Sequence, residues 1–436
     1  MEVVVSAAVL IIVVLGVMAA LDAVTGTAGA NKARTVAATL AERDQEELRG
    51  LRTAELNTLK SLIPAPRTVT VDKVPYTITS DAEWVSDTSG KSISCEQPSG
   101  EGSYIRITST VTSPMTGAKV KPIVMSSIVS PEPGSGTLSA MVKDADGRPV
   151  VGLPVQANGP DVATKKTNDA GCAVFGSLDA GSYDVKVDQM GWVDPEGNQA
   201  VTQTVTVNAG ILSTVEFLYD IAAQISPSTI VTRIDGVESQ DVAKDVMVAH
   251  HGLQTGFRIA PGPGSVFSLN RLFPFRDAYK VFAGSCMGAD PSLYQPTYFE
   301  DNPSVGKKLD RGVNHGPITI LEPSTWIRVR RGTSNLNNAE LYAYPTDESC
   351  EDVRIHLGST GSDGDGMVTS PGLPFGEYTL CAERIETSYN PDRTWHVTGG
   401  PIQNFSPAGT PRNNTANRTT LTIPATSTTA NNGCPA

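Results

Sequence analysis

The sequence predicts a multidomain α+β chain. A long N-terminal membrane-spanning α-helix is expected to pack on a small antiparallel sheet, followed by about three β-sandwich units. Three observations predict this. Residues 3–21 form an uncharged apolar run, and no proline follows until Pro64. Beyond Pro64, short runs alternate apolar and polar residues between Gly, Pro, Asn and Asp clusters, the pattern of strands and turns. Finally, one arrangement of strand, turn and Tyr-bearing strand recurs along the second half.

Size and composition bound the reading. A chain of 436 residues accommodates about three domains. Net charge is −12, which argues against non-specific binding to nucleic acid or anionic lipid. Forty glycines and thirty prolines, against 6% aromatics, describe many short strands joined by turns.

The first element spans residues 1–62. The run 3–21 has about the length an α-helix needs to cross a bilayer, and Val3, Leu10, Ile11 and Leu21 mark its transmembrane half. Asp22, small residues and two glycines follow. Val36, Leu40, Leu48, Leu51 and Leu59 then recur at helical spacing between charges. The expectation is one helix of roughly 90 Å at 1.5 Å per residue, stopped by Pro64. Glu2 admits two readings: an interfacial charge beside the chain's amine, or a functional ionisable group at the end of an apolar helix.

Residues 63–130 read as an antiparallel sheet, with alternating runs at 68–71, 76–79, 104–111 and 123–128. Residues 131–136 (PEPGSG) are a linker by composition. Residues 134–222 form the first sandwich, in which Leu178, Gly181 and Tyr183 introduce an alternating strand. The same elements return at 339–384, with Tyr378 where Tyr183 stood, within a second clear unit at 321–425. A degenerate unit, 223–320, carries Tyr279. The polar stretch 426–436 is a tail.

Two family resemblances rest on these residues. The opening MEVVVSAAVLIIVVLGV resembles the start of a type IV prepilin just after its leader-peptidase site. The wider stretch, through Ala37, Ala41, Glu42, Asp44, Glu47 and Leu51, resembles PilV-like minor pilins and secretion pseudopilins. The basic leader, the glycine and the methylated Phe of that family do not stand in the sequence, and the expected explanation is a start codon assigned too far downstream. Glu2 matches the family's glutamate. The resemblance implies that Glu2 pairs with the N-terminal amine of an adjacent subunit and sets register during assembly. Residues 136–219 resemble carboxypeptidase-regulatory-like or collagen-adhesin B-type modules, which implies Ig/prealbumin-like sandwiches.

No residue pattern points to catalysis. Of five histidines only His250 and His251 adjoin, and neighbours on a strand point to opposite faces. A catalytic metal is therefore not expected. Asp363 and Asp365, in SDGDG, are a calcium candidate weighed against a hairpin turn. Gly284-Ser285-Cys286-Met287-Gly288 lacks the partners of a nucleophile elbow. Trp192, Trp326 and Trp395 read as local core residues, with sugar stacking as the alternative. Lys143, Asn208 and Glu216 are weighed as an isopeptide set, a feature the adhesin resemblance implies.

Six cysteines without metal-ligand spacing, in a chain directed outward, indicate disulfides. Cys350 with Cys381 is the first expected pair, and Cys172 with Cys286 the second.

The expected function is structural and non-enzymatic, with no cofactor. The chain would be a minor pilin or pseudopilin-like subunit of a type IV pilus or related secretion filament, displaying its sandwiches outside the cell, with adhesion as an extension. Its expected partners are other pilin subunits through the N-terminal helix, the inner-membrane assembly machinery and, where a leader lies upstream, prepilin peptidase. It would sit single-pass in the cytoplasmic membrane before assembly and on the cell surface afterwards. The alternative is a membrane-anchored surface protein or a carbohydrate- or protein-binding module that never assembles.

Overall fold

The computed structural model describes residues 2–57, 59, 66–86, 93, 95, 99–100, 103–113, 121–234, 237–240, 243–264, 266–323, 325–368, 372–386, 393–404, 418–423 and 434. The chain divides into two compact units. The first comprises Met1–Lys143, Arg148–Asp188 and Ala200–Phe217, the second Asp144–Gly147, Gln189–Gln199 and Leu218–Ala436.

The first unit begins with helix α1 (Glu2–Arg49) and the single turn α2 (Thr53–Asn57). The expected unbroken helix to residue 62 is corrected here. Gly50 ends α1, its N–H reaching the Glu46 and Glu47 carbonyls, as glycine does at helix C-termini. A new start follows, where Glu55 Oε2 accepts from the Arg52 N–H at 2.8 Å, half of a capping box.

Strands β1 (Arg67–Val71), β2 (Val74–Ser86), β3 (Ser103–Thr112) and β4 (Ile123–Val129) form one antiparallel sheet in that order. Burial in β3 alternates at every residue, so one face is core and the other half-exposed. Buried Ala37 and Ala41 of α1 pack on Tyr76, Ile78 and Val111 of this sheet.

A sandwich completes the unit. One sheet holds β5 (Ser135–Lys143), β8 (Cys172–Asp179) and β12 (Leu212–Leu218). The other holds β6 (Pro154–Asn158), β7 (Val162–Lys166), β9 (Gly181–Asp188) and β11 (Ala200–Val207). Leu138, Ala140, Val155, Ala157, Phe175, Val185 and Val187 are buried within it.

The second unit adds the two-residue pair β10 (Trp192–Val193) and β13 (Asp220–Ile221), and two further sandwiches. In the first sandwich, β14 (Ala223–Ile234) lies between β15 (Val237–Gln240) and β18 (Val266–Leu272), and β21 (Ile318–Glu322) pairs with β14 in parallel. Facing them run β17 (Phe257–Gly264), β16 (Ala243–Ala249), β19 (Tyr279–Ala283) and β20 (Gly306–Lys307). Ile225, Ile230, Val246, Val248, Phe267, Val281 and Ile320 form the core between. In the second, β22 (Trp326–Arg331) joins β23 (Ser334–Asn335) and a parallel β28 (Arg418–Ile423). The opposite sheet runs β25 (Ile355–Ser359), β24 (Glu340–Pro345), β26 (Gly376–Glu386), β27 (Arg393–Asn404).

The recurring tyrosines are one structural device used three times. Tyr183, Tyr279 and Tyr378 are fully buried or nearly so. Each hydroxyl donates to a carbonyl upstream of its own strand: Asp179 at 3.0 Å, Phe273 at 2.9 Å and Pro374 at 3.1 Å. The bond turns a bulky side chain inward while satisfying its polar end. Burial pushes the Tyr183 hydroxyl up to about 12 and raises the other two, so all three stay protonated donors at neutral pH.

The expected fold class is corrected. Strands dominate, and among the described residues no helix is long and apolar enough to cross a membrane.

The disulfide pairings are corrected as well. Cys95 joins Cys172, Cys286 joins Cys350, and Cys381 joins Cys434. Their Cα separations of 5.6, 5.3 and 5.8 Å fit the bond. Cys350 cannot reach Cys381, because Cys381 lies mid-strand opposite Tyr342 while Cys350 sits in a turn beyond the end of β24. Cys172 is taken by Cys95, and Cys286 pairs with Cys350 instead.

Candidate functional site

The feature that calls for a partner is the first part of α1. Leu10, Ile11, Ile12, Leu15 and Met18 are 58–69% exposed, and Leu21 is 58% exposed. Nine apolar side chains and Gly16, from Val9 to Met18, cover nearly three turns. The segment is thus apolar on every face, a character that belongs to a helix surrounded by other apolar matter. Glu2 and Val3 lie in the backbone of α1, but their side chains lie outside the described residues.

The second part of α1 is held to its sheet by small residues and a polar anchor. Ala33, Ala37 and Ala41 are buried at i, i+4 spacing, and Leu48 follows two turns later on the same face. Expected stripe residues Val36 and Leu40 lie beside that line, only partly buried. Between Ala41 and Leu48 stand Asp44 and Gln45, 1% and 5% exposed. Ser80 donates to Asp44 at 2.9 Å, Ser109 donates to the same carboxylate, and Arg67 closes an ion pair with it. Arg67 also reaches Glu47 at 3.0 Å. Gln45 Nε2 donates to Ser109 Oγ at 2.9 Å and to the Met125 carbonyl at 3.2 Å. Its Oε1 accepts from Ser127 at 2.6 Å. Asp44 thus reads β2 and β3 while Gln45 reads β3 and β4, so the helix has one rotation and one register on the sheet.

Asp44 entered the sequence reading only through a resemblance; its serine partners were missed. A signal was present. On the inward face of β2 the series is Tyr76, Ile78, Ser80, Ala82, Trp84, and on β3 it is Ile105, Ile107, Ser109, Val111. Ser80 and Ser109 are direct cross-strand partners. Two serines side by side on a core face announce a buried polar partner.

The other sequence candidates are dispersed. Asp363 and Asp365 are exposed, and their carboxylates accept from N–H groups of their own turn, Asp365 and Met367 respectively. This is turn chemistry. Lys143 bonds Glu216 at 2.9 Å. Asn208 instead lies against Gly136 at the start of β5. Lys143 ends that strand, roughly 23 Å away at 3.3 Å per residue, so the isopeptide set is not assembled. Trp192 stacks on Tyr219 at 5.8 Å, and Trp326 lies under Arg328 at 4.9 Å. The Trp395 side chain lies outside the described residues.

His250 and His251 depart from the expected opposite-face arrangement. They follow the end of β16, in a turn, and their rings stack at 4.4 Å. Burial, and secondarily His251, lowers the pKa of His250.

No family model and no curated protein matches the chain. Among solved structures it is similar to the Bacillus anthracis TIE protein, at 13% identity over 83% of this chain and 73% of that one, with a TM-score of 0.20. It is also similar to BcpA, the major pilin subunit of Bacillus cereus, at 13% identity over 66% of this chain and 99% of that one, TM-score 0.20. A third is the full-length major pilin SpaD from Corynebacterium diphtheriae, at 12% identity over 66% and 97%, TM-score 0.19. Scores this low carry no argument about fold or function.

Proposed function

We propose that the chain is a non-enzymatic structural subunit of a surface filament, assembled through the apolar segment of α1 and displaying its disulfide-tied sandwiches outside the cell. The observation that carries this reading is the exposure of α1 on all faces from Val9 to Met18. The proposed partner is the same segment of neighbouring copies, whose burial together removes that surface from water. Three disulfides fit an oxidising exterior. In the finer, type IV-like form of the proposal, Glu2 pairs with a neighbour's amine and sets register.

Leu15→Glu tests the reading. Leu15 is 62% exposed, so the change leaves the fold of a single copy intact. A carboxylate placed in the helix bundle is expected to weaken association by about 3 kcal/mol per contact, roughly 100-fold. Sedimentation and electron microscopy of the intact chain are expected to show loss of large assemblies, with far-UV circular dichroism unchanged. Assembly equal to that of the native chain would contradict the proposal. Glu2→Ala, compared in the same assays, isolates the register role.

A further inference from the structure

We propose that His250, His251 and Asp277 form a binding site for a borderline divalent cation of the Zn2+, Ni2+ or Cu2+ type. One donor atom from each of the three lies within 4.8 Å of the others. His250 is 6% exposed, and its buried Nε2 makes no hydrogen bond of good geometry, a weak contact of the ring to the Asp277 main chain aside, so it is a poorly satisfied polar atom open to a ligand. Its ring is clamped face to face on Phe275 at 3.9 Å and on His251 at 4.4 Å, so only the ring edge can engage a ligand. His251 Nε2 stands 3.5 Å from Asp277 Oδ2, and both side chains are more than two-thirds exposed. His250 and His251 line a cleft of about 380 Å3 with Met287, Lys280 and Asp290. Lys280 opposes a cation little, being held by Asp290 at 3.0 Å.

Two imidazoles and one carboxylate select this class of ion over calcium, which takes oxygen ligands. Tetrahedral zinc places neighbouring donors about 3.3 Å apart. Rotation of the exposed His251 and Asp277 side chains closes the remaining gap, while the Phe275 stack holds His250 in place.

Binding has a defined proton consequence. The Gly252 N–H donates to His250 Nδ1 at 2.9 Å, which leaves the ring proton on Nε2. A metal at Nε2 takes that lone pair, the proton moves to Nδ1, and the Gly252 bond breaks. No net proton is released at this residue. The turn at Gly252 must therefore shift when the ion binds.

The test uses the full chain without a polyhistidine tag, titrated with Zn2+ by calorimetry and followed at the Gly252 amide by NMR. His251→Ala and Asp277→Asn are the variants, because both side chains are exposed and neither supports the core. The expected result is one Zn2+ per chain, at least 10-fold weaker binding in each variant, and a shifted Gly252 amide only in the native protein. Absence of Zn2+ binding, or binding unchanged in both variants, overturns the proposal.

Discussion

Replacing Asp44 by alanine is expected to free α1 from its sheet. The substitution removes the acceptor of Ser80, Ser109 and Arg67 together, leaving two hydroxyls and a guanidinium in a seam with little water. Removing one partner of a fully buried ion pair costs about 3–5 kcal/mol. Arg67 is 32% exposed and keeps Glu47, so the expected loss is at the low end, about 2–3 kcal/mol. Denaturant unfolding is expected to show an earlier transition for the first unit, with the second unit's transition unmoved. Protease is expected to cut α1 near Ala33–Ala41 sooner. Asp44→Asn keeps an acceptor for the serines and loses the ion pair, so an intermediate effect is expected. An unchanged first transition in the alanine variant would show that the alanine stripe alone holds the helix.

Substitution of Gly176 by valine is expected to be the most destabilising single change. Gly176 lies in β8, and a Cβ built there would come within 1.9–2.3 Å of three atoms of the Trp84 indole. Those atoms belong to a rigid ring, and Trp84 is 8% exposed in the core that also holds Leu48, Ile105, Ile107 and Leu212. Overpacking typically costs about 1–3 kcal/mol. With a bicyclic ring that cannot swing aside, more than 3 kcal/mol is expected, and Gly176→Ala should fall only modestly short of that. Trp84→Ala opens the space that the new side chain needs. The double variant is therefore expected to be less destabilised than the sum of the singles. Strict additivity in that cycle would contradict the close approach.

Several features were legible because they are local or periodic. Alternation in β2 and β3, and the spacing before Tyr183 and Tyr378, reflect strand geometry, and the structure turns the repeated tyrosine into a repeated buried hydrogen bond. The stop at Gly50 was missed, because the helix was read through to the first proline, Pro64, although a glycine in a charged stretch is itself a helix-ending signal. The less legible features depend on tertiary meeting. Disulfide pairing depends on Cα distances between strands far apart in sequence. The Asp44 anchor needs a helix and three strands at once, with only the paired serines as a hint. The stacking of His250 on His251 depends on β16 ending at Ala249, one residue before the pair. The membrane-spanning reading of α1 weighed hydropathy over residues 3–21, whereas among the described residues no helix is long and apolar enough to cross a membrane.

In the proposed filament, α1 segments of different copies pack together. The most direct test of that packing is a photoreactive residue at position 13, where Val13 is 58% exposed, activated in the intact chain under assembling conditions. Cross-linked peptides joining position 13 to residues 9–24 of a second copy are the predicted result. Cross-links confined to other molecules, with no α1-to-α1 peptide, would contradict it.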